Sequence, residues 1–598
     1  MPFKISPIST NIPMISTTGT QLSFRGLTFA PTPKKTVLDN ISGSFHSGRL
    51  TAIIGPSGSG KSSLLNALSG FGPKSLQGSI LVNNEELGQQ NYRKLVAYNT
   101  QEATLLPNLT VEETLEYAVE LRTRSTAAEK RKIVDEIISV LALQKSAHSQ
   151  ARVLSGGGQK RLSIGQDLIS NPKILLFDEP TSGLDSESSY QIMSHLKELT
   201  KQDRCVISVI HQPSSDLLEL YDDLYVVYDG RCMYRGSLQD LIPWYESAGI
   251  VCPQYYNRAD FVIKLTSENN PHRSKVLELI NQMQSENLQE QPSALSTKAN
   301  LSGRQYPTSW LHQFVTLTRR TVLGTVRNNA LFVLRFAGLI AFGLTLGFIF
   351  HDIGDDAAKT ISNTSNLALT LSSLTFVNAA AQIISFPTEA AVFIREYRAN
   401  CYSVAAYFFS KLSADFFPMM IGNSALFGIT YFLTGQPIET ERILKSALIQ
   451  LLSGWFGQLL GIIGGCLFSL QVATFFVPSA LLAMLLFSGF FIHFSELNVV
   501  LRPLIYVSPF SYGFKGILDA VYGFNRTELT CHVESDCVYR TGEQVLHMLD
   551  MQGIEYWTEL CKGEKPFSRQ VMTEPPSSIN DDDDDPNSGA KFTRSGTS

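Results

Sequence analysis

Residues Leu154 to Asp185 read LSGGGQKRLSIGQDLISNPKILLFDEPTSGLD. The right half is an apolar run, Ile174-Leu175-Leu176-Phe177, ending in Asp178-Glu179. Four apolar residues between turn-forming neighbours suit a strand buried on both faces. Carboxylates at the end of such a strand can do metal and base chemistry: Asp178 would hold Mg²⁺ and Glu179 would polarise an attacking water. The left half places Ser155-Gly156-Gly157-Gly158 just before a helical pattern. Free backbone N–H groups at a helix N-terminus bind phosphate. Either half alone would equally describe a glycine turn or an acidic strand end.

Working outward, Leu50–Ile54 is a short apolar run followed by Gly55-Pro56-Ser57-Gly58-Ser59-Gly60-Lys61-Ser62-Ser63 and a helical pattern. This fits G-x-x-x-x-G-K-[ST] in the strand–loop–helix setting the motif requires. The backbone would wrap phosphates, Lys61 would reach the β- and γ-phosphates, and Ser62 would ligate Mg²⁺. Together the two stretches predict an ATPase using ATP and Mg²⁺. Gln101 follows the strand-like Val96-Ala97-Tyr98, where a glutamine can touch Mg²⁺ or water. His211 follows the buried-strand pattern of residues 205–210 and can contact a γ-phosphate. Near the start, Leu22-Ser23-Phe24 and Leu27-Thr28-Phe29 alternate like strands. Phe29 is the candidate to stack on adenine, with a core phenylalanine as the alternative.

The 598 residues exceed one domain. A net charge of −5 does not suggest a nucleic-acid partner. Eight cysteines are scattered without CxxC spacing, which argues against zinc. The N-terminus, MPFKISPISTNIPMIS, has no long apolar core, so no cleavable signal peptide is expected. A mean hydropathy of +0.02 hides a split. The chain before residue 300 reads as soluble, whereas 330–525 is strongly apolar.

In chain order the motifs are a phosphate loop, a glutamine after a strand, a glycine-rich signature, an acidic strand end, Ser182-Gly183-Leu184-Asp185 and a histidine. This order resembles the nucleotide-binding domain of ABC transporters. The resemblance implies that Gln101 is the Q-loop glutamine and Ser155-Gly156-Gly157 the signature. It also makes Asp185 part of the D-loop, Glu179 the catalytic base and His211 the switch histidine. The family usually carries Gln or Glu at the fifth signature position. Here Gly158 stands there, and a weakened signature is the corresponding expectation.

Residues 270–306 are polar and read as a linker. Trp310–Arg327 has apolar residues at helical spacing plus Arg319, Arg320 and Arg327, the pattern of an amphipathic helix at a membrane surface. Apolar spans then follow at Ala330–Phe350, Leu367–Phe386, Phe416–Leu433, Ala447–Leu470 and Val472–Phe494. Arg335, near the entry end of the first, is expected to snorkel. Basic residues before the first span, with Arg395, Arg398 and Lys411 between the second and third, mark the cytoplasmic side. Residues 351–366 and those after 495 would then be external. Sequons at Asn363 and Asn525 agree as glycosylation sites, although Asn40, Asn108 and Asn300 lie in the cytosolic half. Cys531 and Cys537 are expected to form a disulfide in the last external loop, with Cys561 as the competing partner.

An ATPase placed before the membrane spans in one short chain resembles the G subfamily of ABC transporters, the white- and sterol-type half-transporters. Phe386-Pro387-Thr388-Glu389 leading into Val392-Phe393-Ile394-Arg395-Glu396-Tyr397 carries the same resemblance, as does the region Tyr221–Phe261. The implied fold class is multidomain: a P-loop α/β ATPase domain followed by an all-α membrane domain. The expected division is a disordered 1–20, an ATPase domain over 21–269, a linker over 270–306 and a connecting helix over 307–329. The membrane domain with its last external loop would occupy 330–541. The tail, 542–598, reads as disordered and lacks the family's sixth span.

The resemblance implies an ATP-driven exporter of lipid or sterol-like substrates, working as a homodimer or heterodimer in the plasma membrane or an intracellular vesicle membrane with its ATPase in the cytoplasm. The substrate path would run between membrane halves, with Phe376, Asn378, Met484 and Phe487 as candidates beside the alternative of plain helix packing. The competing function is a non-transporting or regulatory subunit, which Gly158 and the tail favour.

Overall fold

The computed structural model describes residues 19–32, 35–72, 75–254, 256–267, 271–289, 306–494, 496–524, 526–531 and 538–551. The strands are β1 (Gln21–Phe29), β2 (Leu38–His46), β3 (Leu50–Ile54), β4 (Gln77–Val82), β5 (Val96–Asn99), β6 (Ile174–Asp178), β7 (Cys205–Val209), β8 (Asp223–Tyr228) and β9 (Arg231–Ser237). A small antiparallel sheet runs β2-β1-β4, and a larger one runs β5-β6-β7-β3-β8-β9. Only β9 is antiparallel in the larger sheet. Its core strands β3, β6 and β7 are buried at every position, as unbroken apolar runs must be when helices cover both faces. Parallel strands put all their C-terminal ends on one edge, where open α/β sheets bind ligands. The phosphate loop leaves β3 there, Gln101 follows β5, Asp178-Glu179 ends β6 and His211 follows β7.

The helices of this domain include α1 (Lys61–Asn66), α2 (Val111–Arg122), α3 (Ala127–Val140), α4 (Gly156–Leu168) and α5 (Ser186–Thr200). Both α2 and α3 start with a capping box, Thr110 with Glu113 and Thr126 with Glu129, so each has a fixed first turn. Part of the stretch read as a linker is in fact structured. Arg273–Gln289 is a helix packed on β9 and β2, and Val276, Ile280 and Met283 are buried. Three apolar residues at helical spacing were hidden among polar neighbours.

The second half is helical: α6 (Trp310–Val326), α7 (Asn329–Ile349), α8 (Thr360–Arg398), α9 (Val404–Leu433), α10 (Thr440–Leu467), α11 (Leu470–Leu486) and α12 (Pro509–Tyr522). Four of these, α7 to α10, are long and apolar enough to cross a membrane, and α11 is a shorter apolar helix of 17 residues. The expected fifth span is therefore too long by eight residues at its end. Its helix stops at Leu486, Gly489 adopts a left-handed φ of 86°, and the chain turns. Past 502 the chain re-enters the bundle, because the sequence of α12 is amphipathic. Phe514, Ile517, Leu518 and Val521 pack with Leu367, Leu371 and Ile449 of α8 and α10. Thr530 then returns to the end of the bundle that it left, pairing with Asp355 and Asp356. Residues 509–531 thus dip in and come back rather than cross.

Helices α8 and α10 approach closely because α10 carries glycines along one face. A Cβ on Gly457 would lie 2.2 Å from the Thr375 carbonyl oxygen, and one on Gly461 would lie 2.4 Å from that of Ala379. Small residues allow backbone-to-backbone packing where lipid offers no hydrophobic drive. Gly461→Val is expected to cost about 1–3 kcal/mol by overpacking. Thermal unfolding of detergent-purified chain checks this. Gly428→Ala, where a Cβ meets nothing within 4 Å, should leave the midpoint unchanged.

Two expectations fail here for a physical reason. Arg335 does not snorkel: its Nη2 donates to Asn378 Oδ1 at 2.6 Å, and Asn378 Nδ2 donates to Asn423 Oδ1 at 3.1 Å, tying α7, α8 and α9 together. A neighbouring amide was a nearer acceptor than the membrane surface. Asn363 is unsuited to carry a glycan. It is fully buried, and its Nδ2 donates to the Tyr522 hydroxyl at 2.7 Å, so the nitrogen that would be glycosylated is already engaged. The tail expected to be disordered over 542–598 begins instead with a helix, Gly542–Met548, because Thr541 and Gln544 form a capping box and Val545 is buried with Phe514 and Val521 of α12. Asn525, Cys537, Cys561 and the tail from 552 lie outside the described residues; Cys531 is disulfide-bonded.

Candidate functional site

The phosphate loop is built from glycines in conformations other residues resist. Gly58 has φ 79° with open space where a Cβ would stand, and Gly60 has φ 103° with the Val37 carbonyl oxygen 2.8 Å from that point. The loop ends at α1, whose first residues are Lys61, Ser62 and Ser63. Lys61 Nζ donates to the carbonyls of Gly55 and Pro56 at 3.0 and 2.8 Å. Its burial lowers its pKa, against the pull of Glu179 and Asp178. Ser59 Oγ is buried without a hydrogen-bond partner among the described residues. An orphaned hydroxyl and a folded-back amine inside one glycine cradle fit a phosphate chain. Pro56 and Ser57 complete the loop.

Ser62 Oγ donates to Asp178 Oδ1 at 3.0 Å, and Tyr98 Oη donates to Asp178 Oδ2 at 3.4 Å. Burial raises the pKa of Asp178 and neighbouring Glu179 adds to the rise, while the Ser62 hydrogen bond opposes it. A hydroxyl and a carboxylate facing each other are hard-oxygen donors suited to Mg²⁺. Glu179 sits at φ 46°, and Gln101 Nε2 donates to its Oε2 at 2.8 Å. A non-glycine residue in the left-handed region costs about 1–3 kcal/mol, a strain that collects at functional sites. The Glu179 amide donates to Val209 O at 3.1 Å, which fixes the end of β6 against the end of β7, and exposed His211 follows two residues later. Gln101, Asp178, Glu179, Lys61 and Ser62 are thus brought to one sheet edge.

Ser155 caps α4, its Oγ accepting from the Gly158 amide at 3.2 Å. Ser155 and Gly156 are exposed, and Gly157 beside them faces Leu184 and Ser188. Asp185 caps α5 through the Ser188 amide at 2.8 Å. Phe29 is half-buried at the end of β1 against the small-sheet core, and its carbonyl accepts from the Val37 amide at 2.8 Å. In the membrane domain, Phe376 stacks on Phe510 with centroids 6.5 Å apart. Met484 is half-buried near the end of α11, and Phe487 follows as its C-cap.

The sequence reading missed the residues that join the two halves. Arg395 of α8 donates to Thr104 O at 2.8 Å and to Ser163 O at 3.2 Å, beside Asp167. On the ATPase side of this seam, Asp167 accepts from both Arg395 and Asn99, and Lys160 lies about two turns earlier on the same helix. Arg327 at the end of α6 reaches the ATPase domain, its Nη2 donating to Glu113 Oε1 at 2.8 Å. Within the second half, Arg320 of α6 forms a bidentate pair with Glu396 of α8, at 2.6 and 2.9 Å, and Tyr402 Oη donates to the same carboxylate at 2.6 Å. Their signal in sequence is slight, since charged residues near helix ends usually face water.

Residues 38–182 match the family model described as ABC transporter, and residues 312–522 that described as ABC-2 type transporter. The chain is 30% identical to "Broad substrate specificity ATP-binding cassette transporter ABCG2" of Mus musculus, over 89% of this chain and 87% of that protein. It is 28% identical to "Protein white" of Drosophila melanogaster, covering 88% and 80%, and 28% identical to "ATP-binding cassette sub-family G member 8" of Homo sapiens, covering 86% and 81%. The P-loop site at one sheet edge, the helical membrane half behind it and these relatives lead to one statement: the chain belongs to the G subfamily of ABC transporters, a half-transporter whose ATPase domain couples ATP hydrolysis to transport.

Proposed function

We propose that this chain exports lipid or sterol-like molecules as one half of a dimer, with itself or with a related half-transporter. The observation that carries the dimer is an incomplete site. One chain offers one phosphate loop and one signature, and Ser155 and Gly156 are exposed. A second copy would bring its signature onto the ATP held by Lys61, so that ATP binding draws the ATPase domains together and hydrolysis frees them. Ser62 and Asp178 would hold Mg²⁺, with Gln101 beside them, and the ion when bound would neutralise phosphate charge. Glu179 would act as general base, oriented by Gln101, with His211 toward the γ-phosphate and Phe29 toward the adenine. Phe376, Met484 and Phe487 would line the path of an apolar cargo. The ATPase domain would face the cytoplasm. Cys531 would pair with Cys537, and Asn525 would carry a glycan.

The test is the full chain in lipid vesicles and in detergent. A dimeric mass and faster ATP hydrolysis with added sterol or phospholipid are expected. Hydrolysis by a strict monomer would sink the dimer, and indifference to every lipid would sink the cargo. Gly158 favours one other reading. A signature lacking its usual side chain suits a subunit that binds ATP but does not pump, and hydrolysis with an added related half-transporter that is unaffected by Glu179→Gln in this chain would select it.

A further inference from the structure

Lys160, Ser163 and Asp167 are spaced three and four residues apart, so they share one face of α4. That face grips three consecutive residues of another segment. Lys160 Nζ donates to Thr100 O at 2.7 Å and to Gln101 O at 3.1 Å. Asn99 Nδ2 donates to Ser163 Oγ at 2.9 Å and to Asp167 Oδ2 at 2.8 Å. Lys160 is only 5% exposed, and its direct partners are neutral carbonyls. Burying an ammonium is costly, and a packing role alone would be met by a methionine. Asp167, Asp178 and Glu179 offset part of that cost through space, and burial still holds its pKa down to about 8. The residue whose backbone it grips, Gln101, is the one whose side chain reaches Glu179 at 2.8 Å.

We propose that Lys160 is a positioning residue for ATP hydrolysis: by clamping the Thr100 and Gln101 carbonyls to the signature helix, it sets the Gln101 amide against Glu179. The proposal rests on the reading of Gln101 and Glu179 given above. Its test is a double-mutant cycle on ATP hydrolysis by the full chain in lipid vesicles. Lys160→Met should lower kcat roughly 10- to 100-fold, the cost of a small misplacement, with KM for ATP changed less than about twofold. In a Gln101→Ala background the same substitution should cost nothing more, because the group it positions is gone. Lys160→Arg, which keeps donors for both carbonyls, should recover most of the rate. If Lys160→Met does not assemble, Lys160→Gln takes its place in the cycle. An unchanged kcat, or losses that multiply in the two backgrounds as a general structural defect would, overturns the proposal. If Gln101→Ala alone hydrolyses ATP at the parental rate, the underlying reading of Gln101 fails and the proposal falls with it.

Discussion

Glu179→Gln is expected to leave ATP binding intact and to lower the rate of hydrolysis by roughly 10²–10⁴, the usual contribution of a positioned general base. The substitution keeps the shape of the side chain. Gln101 can still donate to the remaining carbonyl oxygen, as it now donates to Oε2 at 2.8 Å. What is lost is the basic oxygen. The backbone at φ 46° is held by the Val209 contact rather than by the carboxylate, so the unfolding midpoint should not move. Steady-state ATPase rates and equilibrium binding of a fluorescent ATP analogue, measured on the same reconstituted sample, separate the two quantities. Near-parental turnover would remove Glu179 from the role of base.

Arg320→Met should loosen α6 from α8, beside the junction of the two halves, and destabilise the chain by about 3–5 kcal/mol, because it strands a buried carboxylate. Both partners are 6% exposed, and after the substitution the Glu396 side chain would keep, among the described residues, the hydrogen bond from the Tyr402 hydroxyl. Removing both charges is a different matter. Arg320→Met with Glu396→Leu leaves no unpaired ion and should recover much of the loss, since an apolar replacement of a buried pair is often nearly neutral. Thermal unfolding in detergent distinguishes the outcomes. A double variant no more stable than the single one would show that the charge pair is not the source of the effect.

Much of the ATPase domain was legible because its chemistry is contiguous in sequence. A phosphate loop of nine residues and an acidic strand end each carry their own geometry, so Lys61, Ser62, Asp178 and Glu179 could be named before their strands were seen together. The membrane spans were legible from length and hydropathy alone. The seam was not. Lys160 and Arg395 act through carbonyls far away in the chain, and no local pattern distinguishes such a residue from a solvated one. Asn363 shows the converse. Its sequon is a perfect local pattern, yet a tyrosine 159 residues later takes the nitrogen. The fifth span was overdrawn because hydropathy continues past Leu486, whereas the helix does not.

Helix α8 is a single element of 39 residues. At 1.5 Å per residue it is a rod about 58 Å long. One end is anchored to the ATPase domain through Arg395, and Phe376 and Asn378 lie along its middle. Such a rod is a mechanical lever: a tilt of about 5° at the anchored end displaces the far end by roughly 5 Å over that length. Pro387 lies between the anchor and the middle, and its missing N–H withdraws one rung of the helical ladder. The lever therefore has its softest point about two turns from the anchor. How much of the stroke reaches the membrane is set by the stiffness of the helix around Pro387, a quantity that no residue of the nucleotide site controls.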